Sequence, residues 1–147
     1  MASDTSSVQI VDELTVGLTR LNEVAYPPEV VPGVATKWEA VNNKDGTQTV
    51  TFSLRKDIPW VRWDNNQKKV VKVQDCNKKD RMVTAKDFVY GTLRTVDPKS
   101  ASPYAYVVSQ NIVGAKEFNE WTDAKKPFDT SKVAVKAVDD STLQLTF

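Results

Sequence analysis

The apolar positions change period several times along the 147-residue chain, and each change marks an element. Val8, Ile10, Val11, Leu14 and Leu18 recur at near-helical spacing, and Asp4, Thr5 or Ser6 can act as N-cap, so residues 6–17 are predicted to be a helix. Pro27-Pro28 and Pro32-Gly33 interrupt the next stretch; the segment between them is expected to be a loop leading into a short turn at 34–36. Alternation then takes over. Residues 37–41 and 48–54 read as strands, the second with Val50, Phe52 and Leu54 against Thr49, Thr51 and Ser53, and Lys44-Asp45-Gly46 supplies the turn between them.

A second hairpin is predicted from the extended run 58–63, the polar Asp64-Asn65-Asn66-Gln67 and the run Val70-Val71-Lys72-Val73. Thr84-Ala85-Lys86-Asp87 has the spacing of a capping box, with Asp in the place of Glu, and Phe88, Val89, Leu93 and Val96 form a helical stripe that stops before Pro98. Two short helices are expected after Pro103, over 104–109 and 113–121. The chain then ends in a third hairpin: Val133, Val135 and Ala137 alternate with Lys132, Ala134 and Lys136, Asp139-Asp140-Ser141 turns, and Leu143, Leu145 and Phe147 alternate again. Strands and helices are mixed without a βαβ rhythm, so the expected class is α+β, with a mostly antiparallel sheet built from hairpins and a few short to medium helices.

Composition narrows this picture. At 40% hydrophobic, 147 residues can bury one core, and residues 1–147 are taken as a single domain. The 20 Lys and Arg nearly cancel the 19 Asp and Glu, so no whole-molecule field points to nucleic acid. The sequence has no apolar run of membrane-spanning length, and its first seven residues lack the basic and apolar regions of a signal peptide. The last strand stops at Phe147 without a polar tail, so the chain is expected to be a piece cut from a longer protein. Cys76 is the single cysteine, which excludes an internal disulfide and Cys-cluster metal sites. Histidine is absent, which removes Ser-His-Asp and Cys-His nucleophiles and the commonest zinc ligand. The expectation is a protein that is not an enzyme and uses neither cofactor nor metal.

Individual motifs mostly have structural explanations. Trp38, Phe52, Trp60 and Phe88 lie on apolar faces of predicted elements and are assigned to core packing. Arg55, Lys56 and Asp57 follow a strand and read as a solvated edge; Asp139 and Asp140 read as a turn rather than an acid and base pair. The spacing of Asp64 and Asp75 evokes a calcium loop, but Lys68 and Lys69 stand where a ligand and Gly are needed, so that reading is rejected. Between Arg62 and Lys86 there are eight basic and three acidic residues, an excess of five and the one real charge asymmetry. That basic hairpin over 61–82 is either a solvated surface or a polyanion-binding module with Trp60 and Trp63 as stacking partners.

Several blocks, in order, carry a resemblance: Pro32-Gly33-Val34-Ala35-Thr36-Lys37-Trp38-Glu39, Thr49-Val50-Thr51-Phe52-Ser53-Leu54-Arg55-Lys56-Asp57, and Val83-Thr84-Ala85-Lys86-Asp87-Phe88-Val89-Tyr90. Val96-Asp97-Pro98-Lys99-Ser100-Ala101-Ser102-Pro103-Tyr104-Ala105-Tyr106 and Val133-Ala134-Val135-Lys136-Ala137-Val138-Asp139-Asp140-Ser141-Thr142-Leu143 continue it. Together they resemble the family 5 extracellular solute-binding proteins, above all the oligopeptide-binding members, from about residue 4 to the end.

The resemblance implies a two-lobed, type II-like periplasmic-binding-protein fold that closes on a peptide and delivers it to ABC permease subunits. This chain would be a fragment of lobe I, the subsidiary domain with adjoining pieces. It also implies an extracellular or periplasmic location, with membrane association through a signal or lipid anchor absent from this chain. Ser3, Asp4 and Thr5 would occupy the extended segment that runs alongside the bound peptide backbone, and Tyr104 would match a tyrosine that lines the pocket. Where relatives have a short Asp-Gly turn, this chain carries an insertion over 61–82. Relatives with dipeptide, nickel-chelate or sugar ligands make those alternatives to an oligopeptide. No nucleic-acid partner is expected, and an exposed apolar face is expected to let the isolated fragment form a homodimer.

Overall fold

The computed structural model describes residues 5–123 and 125–147. Its central element is a four-stranded antiparallel sheet of β3 (Ala35–Asn42), β4 (Gln48–Leu54), β7 (Val135–Asp139) and β8 (Thr142–Thr146), in the order β3-β4-β8-β7. The alternation read from the sequence sets the register. Trp38, Phe52, Leu143 and Ala137 pair in a row across the sheet, and Ala40, Val50, Leu145 and Val135 form the next row on the same face. The opposite face is polar and bonds to itself: Thr49 and Thr146 hydroxyls meet at 3.0 Å, and Gln144 Nε2 donates to Thr51 Oγ1 at 3.1 Å. A one-residue slip would exchange these faces, which is why the register is firm.

Helix α2 (Ala85–Val96) packs on β7 through Ala85, Phe88, Val89, Leu93 and Val96, spaced three and four apart, while Lys86, Tyr90 and Arg94 face solvent. The predicted capping box is present: the Asp87 carboxylate accepts the Thr84 N–H at 2.8 Å and the Thr84 hydroxyl at 3.2 Å. Helices α3 (Ala105–Ser109) and α4 (Ala115–Asn119) close the other side of α2. The core gathers Val34, Leu54, Val96, Phe118, Val133 and Leu143, the last only 1% exposed.

Several expectations need correction. The first helix, α1 (Thr5–Leu14), ends three residues earlier than read, and the Thr15 hydroxyl donates to the Val11 carbonyl at 2.9 Å just after its end. The expected loop around the proline pairs is a hairpin, with β1 (Thr19–Asn22) antiparallel to β2 (Glu29–Pro32). Both strands are largely exposed, so neither shows alternation, and Pro32 is tolerated because it is the last residue of a strand in a two-stranded sheet. The expected turn at 34–36 is mostly strand: β3 starts at Ala35, whose N–H, like that of Gly33, donates to the Leu18 carbonyl.

Residue 113 is in a turn rather than a helix, its N–H donating to the Thr146 carbonyl and its carbonyl accepting from Ala134. Gly114 makes the corner between sheet and helix at φ +76°, and a Cβ there would run into the Lys132 carbonyl.

Trp60 is not a core residue. It is 39% exposed, and it clamps the second hairpin, β5 (Val61–Asp64) with β6 (Lys69–Lys72), to the start of α2. Its indole N–H donates to Asp87 at 3.4 Å, and the Arg81 guanidinium, paired with the same Asp87, lies 5.1 Å from the ring centroid. The backbone finishes the clamp in a cycle of three 2.8 Å bonds: Val73 N–H to Trp60, Arg81 N–H to Val73, and Trp60 N–H to Arg81.

Candidate functional site

Tyr104 is placed by the chain segment that comes after α2. Asp97 ends that helix, donating its N–H to Leu93 and accepting the Lys99 N–H on its carboxylate at 2.9 Å. A short 3-10 turn (Pro98–Ser100) comes next, and Ala101 takes a left-handed conformation at φ 45°. The Ser102 hydroxyl then accepts the Tyr104 N–H at 3.4 Å, which sets Tyr104 at the N-cap of α3. The side chain is 39% exposed, on a helix held between α2 and α4. A half-exposed tyrosine ring of this kind offers an apolar edge to a ligand.

The other predicted residues are in a different part of the molecule. Ser3 and Asp4 lie outside the described residues. Thr5 is the first residue of α1, so its backbone is helical and not extended as the sequence reading requires. Its N–H belongs to the first helical turn, where amide groups have no partner within the helix. Of the four, then, the described structure includes Thr5, in α1, and Tyr104, at the N-cap of α3.

One feature escapes the sequence. A cleft of about 370 Å³ opens between Leu14 at the end of α1 and Val16 just after it, Trp60 and Val61 at the hairpin base, and Phe88 on α2. Among the described residues its one charged lining group is Asp87, already holding donors from Thr84, Trp60 and Arg81. Such a cleft suits an aliphatic or aromatic side chain and leaves no free carboxylate for acid and base work. Its walls come from four segments distant in sequence, Val34 of the core being the fourth, so no local pattern announces it.

A second cleft, of about 550 Å³, borders an aromatic trio. Phe118 and Phe128 stack at 4.9 Å and Trp121 meets Phe128 edge-on at 5.4 Å, so these rings largely satisfy one another.

The acidic groups hold turns rather than poise a reaction. Asp139 lies below the usual carboxylate range because it accepts the Ser141 N–H and the Thr142 and Ser141 hydroxyls, and Lys86, bonded to Asp140 at 2.9 Å, is raised. Asp64 is lowered by the Gln67 and Asn66 N–H groups, and Asp57 by the Arg55 guanidinium. Among the described residues no group of His, Cys, Asp or Glu is arranged to hold a metal ion, and Cys76 is an exposed free thiol.

Among known proteins, the family model described as bacterial extracellular solute-binding proteins, family 5, middle, matches residues 29–147. The periplasmic oligopeptide-binding protein OppA of Escherichia coli (strain K12) is 40% identical over 116 residues, covering 78% of this chain and 17% of that protein. The periplasmic murein peptide-binding protein MppA of the same strain is 33% identical over 138 residues, covering 94% of this chain and 20% of that one. Among solved structures, the substrate-binding domain of an oligopeptide ABC transporter from Bacillus anthracis superposes with a TM-score of 0.69 at 33% identity, over 98% of this chain and 22% of that one. The chain thus spans about a fifth of the length of the curated relatives it matches.

Proposed function

Because the chain belongs to the bacterial extracellular solute-binding proteins of family 5, we propose that it is part of the first lobe of a receptor that binds oligopeptides and hands them to an ABC permease. The observation that carries this reading is the 40% identity, over 116 residues, to a protein named for oligopeptide binding. In this reading the chain is the subsidiary domain with adjoining pieces of lobe I, and the receptor works in the periplasm or at the cell exterior, tethered by a signal or lipid anchor outside this chain. It binds and releases without turning its ligand over.

The proposed contacts are few. Tyr104 supplies an aromatic edge, and the segment at Ser3 and Asp4, up to Thr5 where α1 begins, supplies main-chain groups that pair with a peptide backbone whatever its side chains. Binding of that kind tolerates many sequences. Closure is a hinge motion: a peptide that touches both lobes favours the closed state, and that differential affinity needs both lobes. The isolated chain is therefore expected to bind peptide weakly or not at all, and its exposed apolar surface is expected to let it pair with a second copy.

Peptide titration tests the role of Tyr104. In the complete receptor Tyr104→Ala should weaken peptide binding by about tenfold, roughly 1.4 kcal/mol; unchanged affinity would remove Tyr104 from the site.

A further inference from the structure

The four-stranded sheet ends on one side in β3, whose outer edge has no neighbouring strand among the described residues. The bonds of β4 fix which way the β3 main chain faces. Gln48 exchanges both of its bonds with Phe147 on the β8 side, so by the alternation of an antiparallel ladder Thr49, Thr51 and Ser53 turn theirs toward Val41, Glu39 and Lys37. The Asn43 N–H, donating to Thr47, keeps the same phase. The N–H and C=O groups of Trp38, Ala40 and Asn42 therefore point out of the sheet, and β3 is exposed along most of its length. A row of unused donors and acceptors on a strand of eight residues is a template for one more strand.

The side chains select that strand. An edge guarded by lysines alone repels a copy of itself. β3 carries one charge of each sign instead, Lys37 and Glu39 on the polar face, with Trp38 between them on the face it shares with Phe52. Lys37 and Glu39 meet at 3.5 Å with both side chains exposed, so their pairing within the strand is worth little and is easily exchanged. Laid antiparallel to a second β3 about a two-fold axis through Trp38, each Lys37 comes opposite the other copy's Glu39. Trp38 then exchanges main-chain bonds with its counterpart, and the charged positions on either side become the close, non-hydrogen-bonded pairs. Other axes lose the match. Through Lys37 or Glu39 the axis sets like charges against each other, and through Ala40 it sets Glu39 against Val41 and Lys37 against Asn43.

We propose that a second copy of this chain docks on the β3 edge, joining the two four-stranded sheets into one about a two-fold axis at Trp38. The axis stands perpendicular to the sheet, so the Trp38 side of both copies stays on one face and the Lys37 side on the other. This gives a surface and a register to the pairing expected of the isolated chain, and it rests on that expectation, not on peptide binding.

Sedimentation equilibrium of the chain tests it. Reversible dimerisation is expected, with deuterium exchange at the Trp38 amide slowing as concentration rises through the dimer range. Lys37→Glu and Glu39→Lys each place like charges at both facing pairs, and each should raise the dimer dissociation constant by about tenfold at low salt. An equal mixture of the two single variants should restore dimerisation, because every facing pair is again of opposite sign, and so should both substitutions in one chain. Circular dichroism should be the same throughout, since both side chains are exposed. A chain that stays monomeric overturns the proposal and the expected pairing together. A dimer that the single variants leave unchanged, or that the mixture fails to restore, overturns the proposal alone and moves the pairing to another surface. A monomer whose Trp38 amide is protected only by an added peptide of alternating valine and threonine also overturns it, making the edge a peptide-adding strand. The receptor reading has its own test, in peptide binding by the complete protein.

Discussion

The four-stranded sheet and the β5–β6 hairpin are both antiparallel, but different forces hold them. In the sheet, Phe52, Leu143 and Ala137 pair across a face that α2 covers, and burial makes any other register costly. The hairpin buries no face. Its register comes from side-chain turns, Asp64 accepting two N–H groups at its tip, and from the main-chain cycle at its base. The difference shows how one chain can keep a scaffold that packing specifies while carrying a projection whose surface is free to serve a contact.

The largest effect expected from this contrast is in the core. Leu143→Ala should destabilise the chain by about 2–5 kcal/mol, because a fully enclosed side chain is removed where neighbours on two layers cannot collapse inward. Urea unfolding would measure it, and a loss below about 1 kcal/mol would mean that the sheet is not the cooperative unit. Asp87→Ala comes next, since it removes the capping box and the anchor of Trp60 and Arg81 together. A cost of about 1–2 kcal/mol is expected, with faster amide exchange in the hairpin than in the sheet.

Much of this contrast is legible in the residues alone. The hairpin of β3 and β4, the capping box and the final hairpin follow from alternation and turn chemistry at Val50, Phe52, Thr84 and Asp139. The strand order is not, because β4 finds β8 across the chain: Thr49 and Thr146 are 97 positions apart, and no local pattern encodes that closure. The hairpin of β1 and β2 is hidden because its short strands bury little and so carry no period. Trp60 misleads for a related reason. Its apolar neighbours read as a core strand, whereas its partners Arg81 and Asp87 are 21 and 27 positions away. Of the site, residue identities come from resemblance, while the apolar cleft is a product of tertiary structure.

A pH series sharpens the comparison at smaller scale. Asp139 has a depressed folded value from its bonds to Ser141 and Thr142, so its stabilising effect is present above the ordinary carboxylate range and is lost as pH falls through the folded value. Asp139→Asn should therefore flatten the acid limb of the stability profile; an unchanged limb would remove the turn from the account. The smallest effect belongs to the hairpin face. Trp63→Ser should change unfolding free energy by no more than about 0.5 kcal/mol, as expected for an exposed residue without a structural partner. A larger loss would show that the ribbon contributes to the fold after all.

The central claim, that this chain is part of an oligopeptide receptor and needs the rest of it, is met most directly by native mass spectrometry of the complete receptor purified without denaturation, beside the chain alone. The account predicts a spread of added masses on the receptor that fragment as peptides, and none on the chain. A single non-peptide solute on the receptor, or peptides held by the chain alone with micromolar affinity, would contradict it.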